Sequence, residues 1–461
     1  MNRNMKTRKI FMALAVIAAM AAGTACSGDD DMPAEAQPTA AAGEAGSTGG
    51  NTGGNGSGAP QDSTGEQNGG HVVYMLPRTR AITLTAEQRQ LAVQGNTFSA
   101  ALFRAVSASS EFRGRSLTLS PVSVAYVLGM LSDGAAGTTQ AELLSLLGLP
   151  ADGRSLLDGY CRSLMEQAPL ADPSVTLSTA NIVAATEGMA LSQQFTADIG
   201  SHYQAEAVTL DFTKPAALDY LNGWCSDKTQ GMIPRILDQL DPATLLVAMN
   251  AVYFRAPWTA PFDPEATREA TFTAEDGQTA VVPMMHARAV ALYAPGETYA
   301  TLCLPYGSGT AWEMLVMLPA EGRSVADVAE ALCSTPWEQQ WAAGRRRCEV
   351  DVRLPRFSTS SKITLSDIIS QMGAPLMFTP GADFTPMTAA GERLSVSTLY
   401  QRAAIDVSEE GTKAAAVTVA TMEGALAPVQ LPAVDFHADR PFVYVIREVS
   451  TGVVFFIGTC Q

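Results

Sequence analysis

From Leu84 onward the chain moves between two hydrophobic periods. The stretch LTAEQRQLAVQGNTFSAALFRAVSA places apolar residues three and four apart, which predicts an amphipathic helix. Thr85 stands as its N-cap, with Glu87 behind it. Later stretches (ATLLVAMNAVYF, TLCLPY, WEMLVMLP and CEVDVRLPRF) are apolar runs of strand length. FVYVIREVSTGVVFFIG reads as a hairpin turning at Ser450, Thr451 and Gly452. Helical and strand patterns intermix without an internal repeat or a second linker. Residues 84–461 are therefore expected to form one large α+β domain.

The pattern before Leu84 is different. MNRNMKTRK carries four positive charges, and the apolar run IFMALAVIAAMAA follows it. That arrangement predicts a signal peptide over residues 1–25. Small residues lead to Cys26, and Ser27, Gly28 and three aspartates, Asp29 to Asp31, come next. This resembles the signal and export tag of bacterial surface lipoproteins. The resemblance implies lipidation at Cys26 and an outer-membrane location, surface-exposed or periplasmic; secretion is the alternative. Residues 27 to about 70 hold almost no large apolar group and cannot bury enough surface to order themselves, so residues 26–83 are assigned to a disordered tether ahead of the domain. They read as a flexible tether of roughly 40 Å root-mean-square length.

Charge and composition remove several classes. The net charge is −16, and losing the four leader cations takes it to −20. Nucleic-acid binding needs a basic patch, so no nucleic-acid partner is expected. Beyond Cys26, six cysteines remain: Cys161, Cys225, Cys303, Cys333, Cys348 and Cys460. None lies in a CxxC or zinc-finger spacing, so neither metal nor cofactor is expected. Disulfides and buried thiols are both open. The four histidines, His71, His202, His286 and His437, accompany no GxSxG, HExxH or P-loop motif. A catalytic site is not expected.

One segment fits no ordinary element. EEGTKAAAVTVATMEGALAP, from Glu409, opens like a helix cap, turns alanine-rich and then alternates like a strand. Other stretches supply its context: LTLSPVSVAYVLGMLSDGAAGTTQAELLSLLGL, LNGWCSDKTQGMIPRIL, ATLLVAMNAVYFRAPWTAPFDPEATREATF, VVPMMH, VRLPRF, ADFTPM and FHADRPFVYVIREVSTGVVFFIGTC. In this order they resemble the serpin family over residues 84–461. The resemblance implies about three β-sheets, eight to nine helices and an exposed reactive loop. It also implies a monomer that traps a target protease and is not an enzyme.

The Glu409 segment aligns with that loop, and Glu409, Glu410, Gly411 and Thr412 resemble its hinge. By the family mechanism a protease cleaves the loop, and the loop's N-terminal half inserts into the main sheet before the acyl-enzyme hydrolyses. An inserted strand alternates faces, so Thr412, Ala414, Ala416 and Thr418 would point one way. A charge on that face would be buried unpaired, and all four are small and uncharged. Lys413, on the other face, stands where the family usually has Glu. About a dozen new hydrogen bonds, at ~0.5–1.5 kcal/mol each, give on the order of 6–18 kcal/mol. The uncleaved form would then be a kinetic trap.

The family count places the scissile bond at Ala425–Leu426, with Leu426–Ala427 as the neighbour. Ala425 suits an elastase-like protease and Leu426 a chymotrypsin-like one; a papain-like cysteine protease is a further target class. From Ala414 to Ala433 there is no Lys or Arg, which excludes trypsin-like targets. Ser120, Ser123 and Asn250 resemble the family's polar cluster under the sheet, with Gln401 in place of its histidine. Trp258 resembles the tryptophan where insertion begins. A non-inhibitory binding protein on the same fold is the alternative function.

Overall fold

The computed structural model describes residues 8–15, 79–231, 233–412 and 430–461. The chain divides into two units, 1–21 with 76–461, and 22–75. The second unit, with Cys26 and most of the expected tether, lies outside the described residues, and so does His71.

The expected first helix spans Ala86–Ser107. Thr85 caps it by accepting from the Gln88 backbone N–H, and Gln88 reciprocates through its side chain. The box partner is thus Gln88, because it, and not Glu87, sits three residues past the cap. The C-terminal hairpin pairs Phe442–Glu448 with Val454–Cys460, and Gly452 takes φ +74° at its turn. Nine α-helices occur among the described residues. No helix there is long and apolar enough to cross a membrane. All six described cysteines are free thiols, five of them buried and Cys333 half-buried.

Two hydrogen-bonded sheets organise the domain. The larger has nine strands. Its Thr279–Ala294 strand joins the rest only through Tyr293 and Ala294, which pair with Leu302 and Thr301. The strands beyond it, Arg268–Thr273, Arg346–Pro355 and Ala433–His437, therefore form a smaller layer attached at one corner. That gives the three sheet regions expected.

The second sheet holds the expected hinge residues Gly411 and Thr412. Across it run Phe357–Thr364, Leu394–Ser408, Leu246–Pro257, Thr176–Thr186 and Ala205–Leu210. Leu394–Ser408 and Leu246–Pro257 do not pair with each other. Gly411–Thr412 enters between them at one end, antiparallel to both. Further along, the leader segment Arg8–Ala15 runs parallel to Leu394–Arg402 and pairs with Val247 and Ala248. In the uncleaved chain the leader segment thus occupies the gap between these two strands, and its expected removal would leave that gap open. The physical reason is that two unjoined strands present unpaired backbone donors and acceptors, which any extended segment satisfies.

Helix Pro215–Lys228 covers one face of this sheet. Leu221, Trp224 and Cys225 pack with Ile182, Val247 and Met249 in a second, smaller core. Ile236 and Leu237, in the chain that follows the helix, belong to the same cluster. One residue further, Asp238 binds Arg402 Nη2 at 2.9 Å and Lys362 Nζ at 2.5 Å. The segment thus straps the Leu246–Pro257 side of the sheet to the Leu394–Ser408 side.

Candidate functional site

The site forms where Leu394–Ser408 ends and the chain turns back. Glu409 and Glu410 make the turn, and Gly411 and Thr412 begin the strand between the flanks. Gly411 adopts φ +137°. A Cβ at this position would lie 2.7 Å from Pro257 Cα and 2.8 Å from Trp258 N, and would overlap the Ala256 carbonyl oxygen. Backbone conformation and close approach both demand glycine here.

Thr412 is fully buried, and its hydroxyl shares a 2.7 Å hydrogen bond with Tyr306 Oη. Tyr306 stacks on Trp258 with ring centroids 4.4 Å apart and planes 9° from parallel. Trp258 Nε1 donates to the Ser408 carbonyl at 2.9 Å, and the Trp258 backbone N–H donates to Glu410 O. The aromatic pair therefore touches both sides of the turn.

Glu409 is buried, at 4% exposure. Arg356 grips its carboxylate through Nη2 at 2.5 Å and Nε at 3.1 Å, and the Thr267 hydroxyl donates at 2.6 Å. Burial alone would raise this carboxyl's pKa. The hydrogen bonds from Arg356 and Thr267 outweigh burial and leave it below the usual glutamate value.

The polar cluster under the sheet is divided. Ser120 Oγ donates to Ser123 Oγ at 3.2 Å. Gln401 accepts from the Ser120 backbone N–H at 3.2 Å and donates to the Ser120 carbonyl at 2.9 Å. Asn250 stands apart from these three. Its amide nitrogen donates to Asn181 Oδ1 at 2.8 Å, and Asn181 in turn donates to the Tyr203 carbonyl. Asn250 and Gln401 lie on opposite flanks, and the leader strand runs between those flanks, with Leu14 opposite Gln401.

The structure thus assembles Glu409, Glu410, Gly411, Thr412 and Trp258 at one end of the sheet. Ser120, Ser123 and Gln401 meet under it. Lys413, Ala414, Ala416, Thr418, Ala425 and Leu426 lie outside the described residues. Sequence reasoning missed Arg356, Thr267, Tyr306 and Asn181. Arg356 and Tyr306 stand in blocks already singled out, but their partners are 53 and 106 residues away.

Comparison with known proteins identifies the architecture. The family model Serpin (serine protease inhibitor) matches residues 94–461. Serpin-ZXA of Oryza sativa subsp. japonica is 33% identical over 359 residues, 75% of this chain and 89% of the relative. Glia-derived nexin of Rattus norvegicus is 32% identical over 355 residues, 74% and 86% of the two chains. Among solved structures, the thermophilic serpin tengpin in its native state is similar at TM-score 0.71 and 26% identity. That likeness covers 84% of this chain and 97% of tengpin. Human thyroxine-binding globulin, complexed with thyroxine, is similar at TM-score 0.72 and 26% identity, over 81% and 98% of the two chains. The chain belongs to the serpin family. Serpins are generally protease inhibitors rather than catalysts.

Proposed function

We propose that this protein is a suicide-substrate inhibitor of elastase-like or chymotrypsin-like serine proteases. The observation that carries the reading is the position of Gly411 and Thr412. They already pair with both flanking strands, antiparallel to each, as the first rungs of an inserted strand. The next residues, through Thr418, keep one face small and uncharged, so insertion can continue without burying a charge.

The chemistry is taken from the family mechanism, with the bond placed by the family count. The protease serine Oγ attacks the Ala425 carbonyl carbon, the bond to the Leu426 nitrogen breaks, and Leu426 leaves as a free amine. The Ala425 acyl group stays esterified to the protease. Strand insertion draws that ester away with the enzyme before water attacks it. Release of stored strain by loop insertion accords with a sheet whose two flanking strands do not pair with each other.

A second reading, a non-inhibitory binding protein, is favoured by the likeness to thyroxine-binding globulin. One experiment separates the two. The purified chain is incubated with elastase and with chymotrypsin and run on a denaturing gel. An SDS-stable band at the summed mass supports inhibition, and mass spectrometry of the released peptide assigns the bond to Ala425 or Leu426. Complete cleavage with free active protease and an unmoved melting temperature refutes it.

We also infer a lipid anchor at Cys26, the membrane contact being through that lipid alone. The support is the leader pattern and the acidic residues after Cys26. Mass spectrometry of the mature N-terminus tests it: a diacylglyceryl adduct on Cys26 supports the anchor, and an unmodified N-terminus refutes it.

A further inference from the structure

Three helices converge on a buried acidic cluster away from the hinge. Asp133 closes helix Pro121–Asp133, Asp158 lies in the first turns of Arg154–Gln167, and His202 is in the last turn of Gln193–Tyr203. The Asp133 side chain has no solvent exposure and that of Asp158 has 4%. Neither carboxylate oxygen of Asp133 meets a conventional donor within hydrogen-bond reach, and neither does His202 Nδ1, though all three atoms are sealed from solvent; the Asp133 and Asp158 carboxyls lie close enough to share a proton. A buried polar atom without a partner is costly, and Asp133 Oδ2 and His202 Nδ1 face each other across 3.9 Å, a gap that calls for an occupant.

The geometry fits a small ion. His202 Nδ1 lies 3.6 Å from Asp158 Oδ2 and 3.9 Å from Asp133 Oδ2. One donor atom from each residue falls within 4.8 Å of the others. Tetrahedral zinc, with bonds of about 2.0–2.2 Å, separates its ligands by roughly 3.3–3.6 Å. The two distances from His202 need to contract by at most a few tenths of an ångström to match this spacing.

The surroundings orient these groups. Tyr203 Oη donates to Asp158 Oδ1 at 2.9 Å, which leaves Oδ2 facing the cluster. Tyr203 fits there because Gly129 has no side chain; a Cβ would come within 2.8 Å of its ring carbons. Arg154 Nε stands 3.7 Å from Asp133 Oδ1 and 4.0 Å from Asp158 Oδ2, beyond hydrogen-bond reach. Its Nη2 lies 3.7 Å from Asp198 Oδ2. Three carboxylates thus face one half-exposed guanidinium.

We propose that Asp133, Asp158 and His202 bind a first-row divalent transition ion, with zinc the first candidate. Two carboxylate oxygens and one imidazole nitrogen are borderline donors that suit zinc. Calcium needs six to eight oxygens and magnesium an octahedral shell of oxygens, and an imidazole nitrogen with two carboxylate oxygens matches neither. A water completes the fourth position. The ion pins three helix ends together. One of these helices starts beside Ser120, the residue that holds Gln401 on the sheet, so loading stiffens the support beneath a flanking strand.

The test uses the full purified chain, stripped with chelator and titrated with zinc chloride by calorimetry, with metal content read by mass spectrometry. One zinc per chain at micromolar or tighter affinity is expected, with a raised melting temperature reversed by EDTA. Asp133→Asn and His202→Ala each lower the affinity at least tenfold. Cobalt in place of zinc gives the visible absorption of a tetrahedral site, lost in both variants. His437→Ala is the control, because Asp351, Asp435 and His437 form a separate, more exposed cluster; it leaves the stoichiometry unchanged. No binding at 100-fold excess zinc over protein, or binding that survives both ligand variants, overturns the proposal.

Discussion

Arg356 holds the Glu409 carboxylate with two hydrogen bonds, at 2.5 and 3.1 Å, across 53 residues of sequence. The pair fixes the turn from which Gly411 and Thr412 enter the sheet. Phe262 N–H adds a hydrogen bond to the Glu409 carbonyl at 2.9 Å. The start of the hinge is therefore anchored before any loop residue inserts.

Glu409→Gln is expected to loosen this anchor. Arg356 is about half exposed, so solvent screens the pair and the expected loss is about 1 kcal/mol. The folded pKa of Glu409 is depressed. Its contribution is then fully present above the ordinary glutamate value of about 4.3 and is lost as pH falls through the lower folded value. Melting temperatures of both proteins measured from pH 7 down to pH 3 should differ at neutral pH and converge in acid. Equal melting temperatures throughout would show that the pair does not anchor the turn.

Gly411→Val should expel the hinge from the sheet. The new side chain meets the Ala256 and Pro257 backbone, which cannot withdraw without breaking the strand. The positive φ adds strain of order 1–3 kcal/mol. Insertion after cleavage slows, and the number of inhibitor molecules consumed per protease molecule rises severalfold. Titration of residual protease activity reads this ratio, and an unchanged ratio contradicts the assigned role.

Gln401 satisfies both backbone groups of Ser120. Gln401→Ala leaves the Ser120 N–H buried and unpaired, at a cost of about 1–3 kcal/mol, while the Ser120 carbonyl keeps the Val124 N–H. Gln401→His is expected to retain most of the stability at pH 8, because a neutral imidazole both donates and accepts. Protonation removes the acceptor for the Ser120 N–H. The folded histidine pKa should therefore lie below its ordinary value of about 6.5, and its stabilisation is lost as pH falls through the folded value. Thermal scans between pH 8 and pH 5 would show an acid decline absent from the parent.

Asp238→Ala should release the strap that joins the two sides of the sheet. Its ion pairs with Arg402 and Lys362 are partly exposed, so the equilibrium effect is about 1 kcal/mol or less. The larger effect should fall on rate, because the flanks separate more readily when the strap is cut. Tryptophan fluorescence after loop cleavage, followed by stopped flow, should report faster insertion; an unaltered rate would place the strap outside the moving parts.

Much of this was legible in the sequence for a physical reason. Period and caps are local, so helix Ala86–Ser107 and the C-terminal hairpin follow from residues that are neighbours in the chain. Gly411 and the small residues after it stand out in the sequence because a strand that inserts into a sheet, as in the proposed mechanism, restricts residue type at every second position. The tertiary structure alone decided which groups close the site. Arg356 for Glu409, Tyr306 for Thr412 and Asn181 for Asn250 come from parts of the chain distant in sequence. A hydrogen bond depends on separation in space to a few tenths of an ångström, and sequence spacing carries no such information. The same holds for Asp133, Asp158 and His202, which no linear metal motif joins and only the packing of three helices brings to one point.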